Sequence, residues 1–431
     1  MKIAILGGGF AGLSAAYYAR EKGHEVRLFE KESALGGLAV GFKSAGWDWF
    51  IERAYHHWFA NDHDVLDFAK EIEFDDVIFK DPITASLYKN QDKEYDIVPL
   101  DSPIALLRLP YLSFPDRVRA GITLGFLKLS PFLSLYEKQT AEEYLQKYTG
   151  NRAYDVLFAE LFRKKFGKYA ENILASFIWA RVNKRTKVLA YPAGGFQAFI
   201  DKAERVLREK GADIVTSTAV NTVNKSGNGF ELIFSKGTDR AVQKEHYDAV
   251  ISTLPTPITA RISRIFPAQF TNNLLKLKYL HAVTCIIQSK DPVLVKAYWL
   301  NVTTPDLRSM AIIQHTNFMD RQHYGGAHLA YMANYVDSDH ELLKMNDKQI
   351  FDFYCRDIKK LNPKLSTNDS KFWVFRGPFA QPIFDKQFLK YKPEYETPIK
   401  NFFMANLDMT YPYDRGTNYA VKVGREVANL L

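Results

Sequence analysis

The first forty residues constrain the fold more than any other stretch, because a glycine-rich turn stands there between strand and helix patterns. An apolar run at residues 3–6 precedes the hexapeptide GGGFAG, and a helical pattern begins at Leu13. A second apolar run, residues 26–29, ends in Glu30. This order is typical of a dinucleotide-binding fold, in which the helix N-terminus faces a pyrophosphate and the acid binds a ribose hydroxyl.

The glycines of the hexapeptide have separate roles in this interpretation. Gly7 permits the tight turn, Gly9 lets the backbone approach a pyrophosphate, and Gly12 lets the helix pack closely on the strand. The predicted cofactor contacts in this part of the chain are Gly7, Gly9, Phe10, Ala11, Gly12, Glu30 and Lys31.

A glycine doublet, Gly36-Gly37, follows in the stretch EKESALGGLAVGF. This stretch resembles the flavoproteins of the amine oxidase, protoporphyrinogen oxidase and phytoene desaturase superfamily, and the resemblance implies that the dinucleotide is FAD. Members of the superfamily commonly have an arginine near the phosphates after the doublet, whereas this chain has Leu38. The predicted FAD contacts in this stretch are Gly36, Gly37 and Leu38. None of them supplies the positive charge that the arginine would bring to the phosphates.

Two later motifs occur in the order that the superfamily has. The stretch 191–223 resembles the return of the chain to the FAD domain, which implies a backbone contact of Val220 with the adenine. Residues 401–431 resemble the terminal motif, which implies that a helix beginning near Thr417 stabilises the reduced flavin through its N-terminus. The contacts implied there are Arg415, Gly416, Thr417, Asn418 and Ala420.

On these four motifs the chain is identified as a member of the superfamily, with its nearest likeness among bacterial protoporphyrinogen-oxidase-like members. The fold this implies is α/β, with a discontinuous Rossmann-type FAD-binding domain of the glutathione reductase type and an α+β substrate domain with a mixed sheet and a helical cap. Covalently linked members attach their flavin to a cysteine near the C-terminus, but the two cysteines here are Cys285 and Cys355, so non-covalent FAD is expected. The FAD domain is expected at 1–60, 190–262 and 396–431, and the substrate domain at 61–189 and 263–395.

Local patterns predict further elements of the substrate domain. Thr140 and Glu143 are spaced as a capping box at the start of a helix. The other predicted elements are helices over 64–72, 154–185 and 347–359, strands at 297–301, 310–318, 328–335 and 373–376, and a loop at 377–382.

The candidate catalytic residues come from a histidine pair and from polar positions on the predicted strands. The pair, His56-His57, lies in the aromatic segment RAYHHWF, where the resemblance implies the edge of the flavin, although ordinary packed histidines explain the pattern as well. Polar side chains recur at period two along the strands, which favours a lined pocket. A histidine is well matched to accept a proton near pH 7, and His315 is preferred to His57. The other candidates for orienting the substrate are Asn301, Asn317 and Tyr331.

Three functions remain open on the sequence. The first is an FAD-dependent oxidoreductase that transfers hydride from a large, partly apolar substrate to flavin N5. The second is a non-redox flavoenzyme acting on a nucleotide sugar, because RAYHHWFANDHDVLDF also resembles UDP-galactopyranose mutases. The third is a flavin-binding protein without turnover. Amine oxidation is disfavoured, since Thr284 aligns with the lysine of true amine oxidases.

Charge and composition limit the partners. The 57 basic and 49 acidic residues give a net charge of +8, which favours anionic partners or a solvated surface. Residues 103–136 combine apolar side chains with spaced cations, so they predict either a packed helix of the substrate domain or a peripheral membrane contact. We expect a small-molecule substrate, no nucleic acid, no metal site and a cytoplasmic location, possible also at the inner face of the membrane. The sequence does not predict the oligomeric state.

Overall fold

The computed structural model describes residues 1–237 and 242–431. Its strands, in chain order, are β1 (Lys2–Leu6), β2 (Glu25–Phe29), β3 (Gly41–Phe42), β4 (Ile51–Glu52), β5 (Trp58–Phe59), β6 (Val77–Lys80), β7 (Thr84–Lys89), β8 (Tyr95–Pro99), β9 (Leu189–Pro192), β10 (Asp213–Val215), β11 (Thr218–Ser226), β12 (Gly229–Lys236), β13 (Val242–Tyr247), β14 (Ala249–Ser252), β15 (Tyr279–Ser289), β16 (Trp299–Val302), β17 (Ala311–Gln314), β18 (His328–Val336), β19 (Lys371–Pro382) and β20 (Phe402–Met404).

The helices surround these strands, and short 3-10 turns connect many of them. The α-helices are α1 (Phe10–Glu21), α2 (His63–Glu71), α3 (Pro103–Leu107), α4 (Phe114–Leu129), α5 (Ala141–Thr149), α6 (Asn151–Tyr154), α7 (Glu160–Phe166), α8 (Ala175–Lys184), α9 (Phe196–Glu209), α10 (Thr256–Ile262), α11 (Ala268–Leu274), α12 (Asp347–Leu361), α13 (Lys386–Tyr391) and α14 (Thr417–Ala428).

A five-stranded parallel sheet holds the N-terminal turn. Its strand order is β10-β2-β1-β14-β20, and every neighbouring pair runs parallel. The apolar runs of β1 and β14 are fully buried because helices, including α1, cover the sheet. The predicted α/β fold is confirmed.

A seven-stranded mixed sheet forms the second large layer, in the order β19-β15-β18-β17-β16-β7-β8. β16 and β7 run parallel, and the other neighbouring pairs run antiparallel. Strands of the parallel sheet come from the segments predicted for FAD binding, and those of the mixed sheet from the segments predicted for the substrate. The domain boundaries themselves stay a prediction.

Smaller sheets connect these layers. β11, β12 and β13 form the antiparallel meander that the alternating pattern after residue 220 predicts. β5, β9 and β6 form another antiparallel sheet, which joins the histidine segment to the strand before α9. The capping box at Thr140 is also present, with reciprocal hydrogen bonds to Glu143.

Three local predictions are wrong. The helix predicted over 154–185 is broken by a π turn at Asp155–Ala159 and by a 3-10 segment that begins at Gly167, whose φ of +54° ends α7. The strand predicted over 310–318 ends at Gln314, and residues 315–317 form a 3-10 turn. Residues 377–382 are not a loop, because they pair with β15 as part of edge strand β19, where proline is tolerated.

Candidate functional site

The turn between β1 and α1 is closed on one side and open on the other. A Cβ built on Gly12 would lie 1.9 Å from the carbonyl oxygen of Gly7, so the helix can approach the turn only with glycine at this position. A Cβ built on Gly9 would have the Cα of Gly37 as its nearest neighbour, 3.8 Å away. Gly9 and Gly37 therefore approach each other closely, and the space beside both of them, called the glycine gap below, is bounded by backbone, as a bound pyrophosphate requires.

The glycine doublet is held against this turn. The N–H of Gly36 donates to the carbonyl oxygen of Gly8 at 2.9 Å, and the φ values of Gly36 and Gly37 are +128° and +58°. Such angles favour glycine. Leu38 packs beside Gly377 of β19, where an added Cβ would lie 3.3 Å from the leucine Cδ2. The doublet thus forms the second wall of the gap, and residue 38 adds an apolar side chain instead of a cation.

Glu30 is fixed at the end of β2. Its side chain is buried, one carboxylate oxygen accepts from the N–H of Gly8 at 2.8 Å, and the other accepts from the N–H of Glu32 at 2.9 Å. A carboxylate oxygen has a second lone pair, so Glu30 can still accept from a ribose hydroxyl. The side chain of Lys31, unlike that of Glu30, is exposed, and its ammonium pairs with Glu32 at 3.4 Å.

Val220 follows a backbone contact with Glu30. It belongs to β11, whose first residue, Thr218, donates its N–H to the carbonyl oxygen of Glu30 at 2.8 Å. The strand has a bulge immediately after Val220. The contact of the Val220 backbone with the adenine stays a prediction.

The N-terminus of α14 is held in position by side-chain contacts. Thr417 Oγ1 accepts from Trp58 Nε1 at 2.8 Å, and Asn418 Oδ1 accepts from the N–H of Val65 at 3.0 Å. The first N–H groups of a helix have no intrahelical acceptor and can bind an electronegative group. The N–H of Ala420 donates to the carbonyl oxygen of Gly416 at 3.0 Å, so it is already used within the helix.

Together these residues fit an FAD molecule. The glycine gap would hold the pyrophosphate, Glu30 the adenosine ribose, and the α14 N-terminus the pyrimidine end of the ring. Phe10 and Ala11 begin the helix that faces the gap. The close packing of α14 on α1 fixes the two helices together, since a Cβ on Gly424 would lie 2.3 Å from the carbonyl oxygen of Ala11.

The histidine segment lies among aromatic rings of the mixed sheet. His57 Nδ1 is 3.1 Å from the Tyr298 hydroxyl, and Tyr55 meets Trp299 edge to face at 4.9 Å. His56 Nδ1 is 2.7 Å from the carbonyl oxygen of Ala54. Burial, together with repulsion from nearby arginines, lowers the pKa of His57 to about 3 and that of His56 to about 4. Both imidazoles are therefore neutral near pH 7.

A buried polar network lies behind this segment, and sequence reasoning missed it. Both carboxylate oxygens of Glu52 accept from the Tyr191 hydroxyl, at 2.9 and 3.0 Å, and one also accepts from the N–H of Phe196. Burial raises the pKa of Glu52 to about 7. An acid at the end of an apolar strand was the available signal, but its partner tyrosine is 139 residues away.

The five predicted catalytic residues have different surroundings, although the rings of His315 and Tyr331 are neighbours with centres 6.2 Å apart. Tyr331 is buried beside Tyr55, and its hydroxyl donates to the carbonyl oxygen of Glu52 at 2.8 Å. His315 is 2% exposed, with Nε2 2.6 Å from the Tyr324 hydroxyl, and burial lowers its pKa to about 3. The catalytic role of His315 stays a prediction. Because His315 is more deeply buried than His57, His57 becomes the preferred candidate for contact with the substrate.

The two asparagines make structural contacts. Asn301 Oδ1 accepts from Trp299 Nε1 at 2.9 Å, which orients the indole beside Tyr55. Asn317 Nδ2 donates to the carbonyl oxygens of Leu294 and Ala297, both at 2.8 Å, and holds the turn after β17. Asn301 therefore lies near the histidine segment, whereas the amide of Asn317 is directed to a neighbouring loop.

Comparisons with known proteins agree with this geometry. The sequence profile of flavin-containing amine oxidoreductases matches residues 10–431. The 15-cis-phytoene desaturase of Synechococcus elongatus is 23% identical over 451 aligned positions, which cover 94% of this chain and 90% of the desaturase.

Solved structures share the fold at low identity. A variant of putrescine oxidase superimposes with a TM-score of 0.76 at 14% identity and covers 99% of this chain and 98% of its own. Reduced UDP-galactopyranose mutase superimposes with a TM-score of 0.74 at 17% identity and covers 99% of this chain and 94% of its own. These two structures show a shared architecture for proteins with different substrates.

Proposed function

The chain belongs to the family of flavin-containing amine oxidoreductases, and from this premise we propose that it is an FAD-dependent oxidoreductase that oxidises a large, partly apolar substrate. The observation that carries the proposal is the backbone-lined glycine gap beside Gly9 and Gly37, together with the Glu30 carboxylate bound to the same turn and the N-terminus of α14, the helix that packs on α1. FAD, when bound, supplies the chemistry by accepting a hydride at N5.

The side chains of the protein bind and orient the substrate. Tyr55, His57 and Trp299 line the substrate side, and their rings meet edge to face. The neutral His57 is held by Tyr298, so it can form a hydrogen bond with the substrate through the ring nitrogen that Tyr298 does not contact. Tyr331 supports the segment from behind.

The proposal is tested by the cofactor and by its reduction. The purified protein should be yellow, and denaturation or acid precipitation should release FAD into the supernatant because no covalent link is expected. Candidate substrates added without oxygen should bleach the flavin stoichiometrically. Release of FMN or NAD instead, or colour that stays with the precipitate, would contradict the cofactor assignment.

A second candidate function is a non-redox flavoenzyme acting on a nucleotide sugar. The full-length superposition on UDP-galactopyranose mutase favours it. Turnover of a nucleotide sugar only after prior reduction of the flavin, with no net electron transfer, would establish this function instead of the first. A flavin-loaded protein that is neither bleached nor active after reduction would support binding without turnover.

We further propose a peripheral membrane contact through the exposed apolar surface formed by α3, α4 and the turn that follows them. This surface is called the α4 face below. Ile122 and Leu129 are 69% and 83% exposed, and Phe114, Phe126 and Phe132 lie exposed beside them. Exposed cations flank this face at Arg108, Arg119 and Lys128, which suits a bilayer with anionic headgroups. None of the helices in the described part of the chain is both long and apolar enough to cross a bilayer.

A further inference from the structure

A cluster of charged side chains lies beside the loop that precedes α14. Asp414 Oδ2 accepts from Lys165 Nζ at 3.0 Å and from Arg181 Nη1 at 2.6 Å. The guanidinium of Arg415 lies 4.7 Å from the centre of the Tyr335 ring, and Lys165 Nζ lies 5.8 Å from the same ring. Lys165, Arg181, Arg185 and Arg415 are called the cation cluster below.

The cation cluster has too little negative charge of its own. Asp414 is the one carboxylate that forms ion pairs with it in residues 1–237 and 242–431, against four basic side chains. Lys165 and Asp414 keep only 16% and 19% of their side-chain surface exposed, whereas Arg181 keeps 38% and Arg185 is exposed. The buried ammonium of Lys165 thus shares its one counter-ion with Arg181, and a bound anion that the more exposed arginines also contact would stabilise this arrangement.

The titration of the pair agrees with this imbalance. Burial lowers the pKa of Lys165 to about 7, helped by repulsion from Arg181 and Arg415, although Asp414 opposes the shift. Burial also opposes ionisation of Asp414, but attraction to Lys165 and Arg181 outweighs it and holds the pKa of that carboxyl below its usual value. The Asp414 carboxylate is thus ionised and shared by Lys165 and Arg181, and the cluster as a whole carries a surplus of positive charge.

Aromatic rings border the cluster, and α8, which carries Arg181, packs against α4. Lys165 Nζ and the Arg181 guanidinium lie 5.0 and 5.9 Å from the centre of the Phe177 ring. Lys128 Nζ, near the end of α4, donates to the carbonyl oxygens of Asn183 and Arg185 at 2.9 Å. The exposed apolar face therefore ends beside the cations.

We propose that the cation cluster binds the oxyanion end, a phosphate or a carboxylate, of an amphiphilic substrate whose apolar part enters from the α4 face. Arginine forks suit both oxyanions because they donate two parallel hydrogen bonds. The inference rests on the proposed function, since it specifies the substrate class of the same site. Arg415 lies two residues before Thr417, whose hydroxyl oxygen accepts from Trp58, the residue after His57. The anchored end would therefore leave the apolar part near the histidine segment.

The test measures binding of three probes to the flavin-loaded protein by calorimetry: decyl phosphate, decanoate and decanol. The two anions should bind at least about tenfold more tightly than decanol, and the tighter of the two identifies the oxyanion. Arg181→Gln and Lys165→Met should each weaken binding of that anion at least about tenfold while decanol binding stays unchanged. The matched control is Lys187→Met, because Lys187 is exposed and pairs with Asp81 outside the cluster.

The variant Asp414→Asn distinguishes an anion site from a purely structural ion pair, because the two predict different changes in the affinity for the anion. Removal of the competing carboxylate should raise the affinity for the anion severalfold, whereas a purely structural pair would lose thermal stability with no gain in affinity. Equal binding of decanol and both anions by the wild-type protein, or no gain in Asp414→Asn, would overturn the inference. Flavin absorbance is recorded throughout, because loss of FAD counts against the proposed function and loss of anion preference with FAD bound counts against this inference alone.

Discussion

At the scale of single residues, one glycine decides whether the cofactor has room. Gly9→Val should abolish flavin binding, because the valine side chain would extend into the glycine gap and occupy the place of the pyrophosphate. Absorbance of the purified protein near 450 nm, roughly the usual flavin maximum, measures the loss. Gly125→Val is the matched control, since a Cβ there meets nothing within 4 Å. Stoichiometric FAD in Gly9→Val would exclude this gap as the pyrophosphate site.

The two buried histidines should differ in their effect on flavin reduction. His57→Gln should slow reduction by substrate about a hundredfold with flavin absorbance intact, because in the proposed function His57 orients the substrate. His315→Gln should affect stability more than rate, because His315 packs against Tyr324 away from solvent. Stopped-flow absorbance measures both rates. A larger loss of rate in His315→Gln would restore the role that the sequence predicts for it.

Glu52 should make stability depend on pH. Its pKa rises from 4.5 to about 7 on folding because of burial, so the folded protein holds this proton when the unfolded chain has released it. Wild-type stability should therefore fall relative to Glu52→Gln as the pH rises from 4.5 to about 7, and the difference should level off above this pH. The change is on the order of 3 kcal/mol. Urea unfolding of both proteins across this range measures it, and a constant difference would contradict the assignment.

At the scale of elements, the contact of α1 with α14 fixes the end of the site that faces the flavin ring. Gly424→Ala should destabilise the protein by about 1–3 kcal/mol, because the added Cβ meets the backbone of Ala11 at 2.3 Å. Gly125→Ala, in an open position of α4, should instead stabilise by up to ~1 kcal/mol through helix propensity. Urea unfolding midpoints compare the two variants. Equal shifts would show that α14 can move away from α1 at little cost.

At the scale of the whole molecule, the α4 face should direct the protein to anionic membranes. Co-sedimentation with phosphatidylcholine vesicles should increase when phosphatidylglycerol is included and decrease at high salt. Ile122→Ser combined with Phe126→Ser should abolish it without loss of flavin. Phe79→Ser, which removes an exposed phenylalanine elsewhere, is the control. Unchanged sedimentation of the double variant would show that this face does not contact lipid.

The sequence by itself determined the parts of the site that depend on neighbours along the chain. The GGGFAG turn, the doublet and the helix that begins at Thr417 each need residue types within a few positions of one another. Because φ values, close helix packing and helix ends are local properties, glycine positions and caps reveal them. The cofactor fold was accordingly predictable, and so was the order of its strands along the chain.

The tertiary structure alone decided which distant side chains meet. Lys165 and Asp414 are 249 residues apart in sequence, and His57 and Tyr298 are 241 apart. Hydrophobic periodicity places a residue on a face of its own element, but it does not specify which element covers that face. His315 therefore looked like a pocket residue and is buried against Tyr324, and no local pattern links Arg181 of α8 to Asp414, with which it pairs.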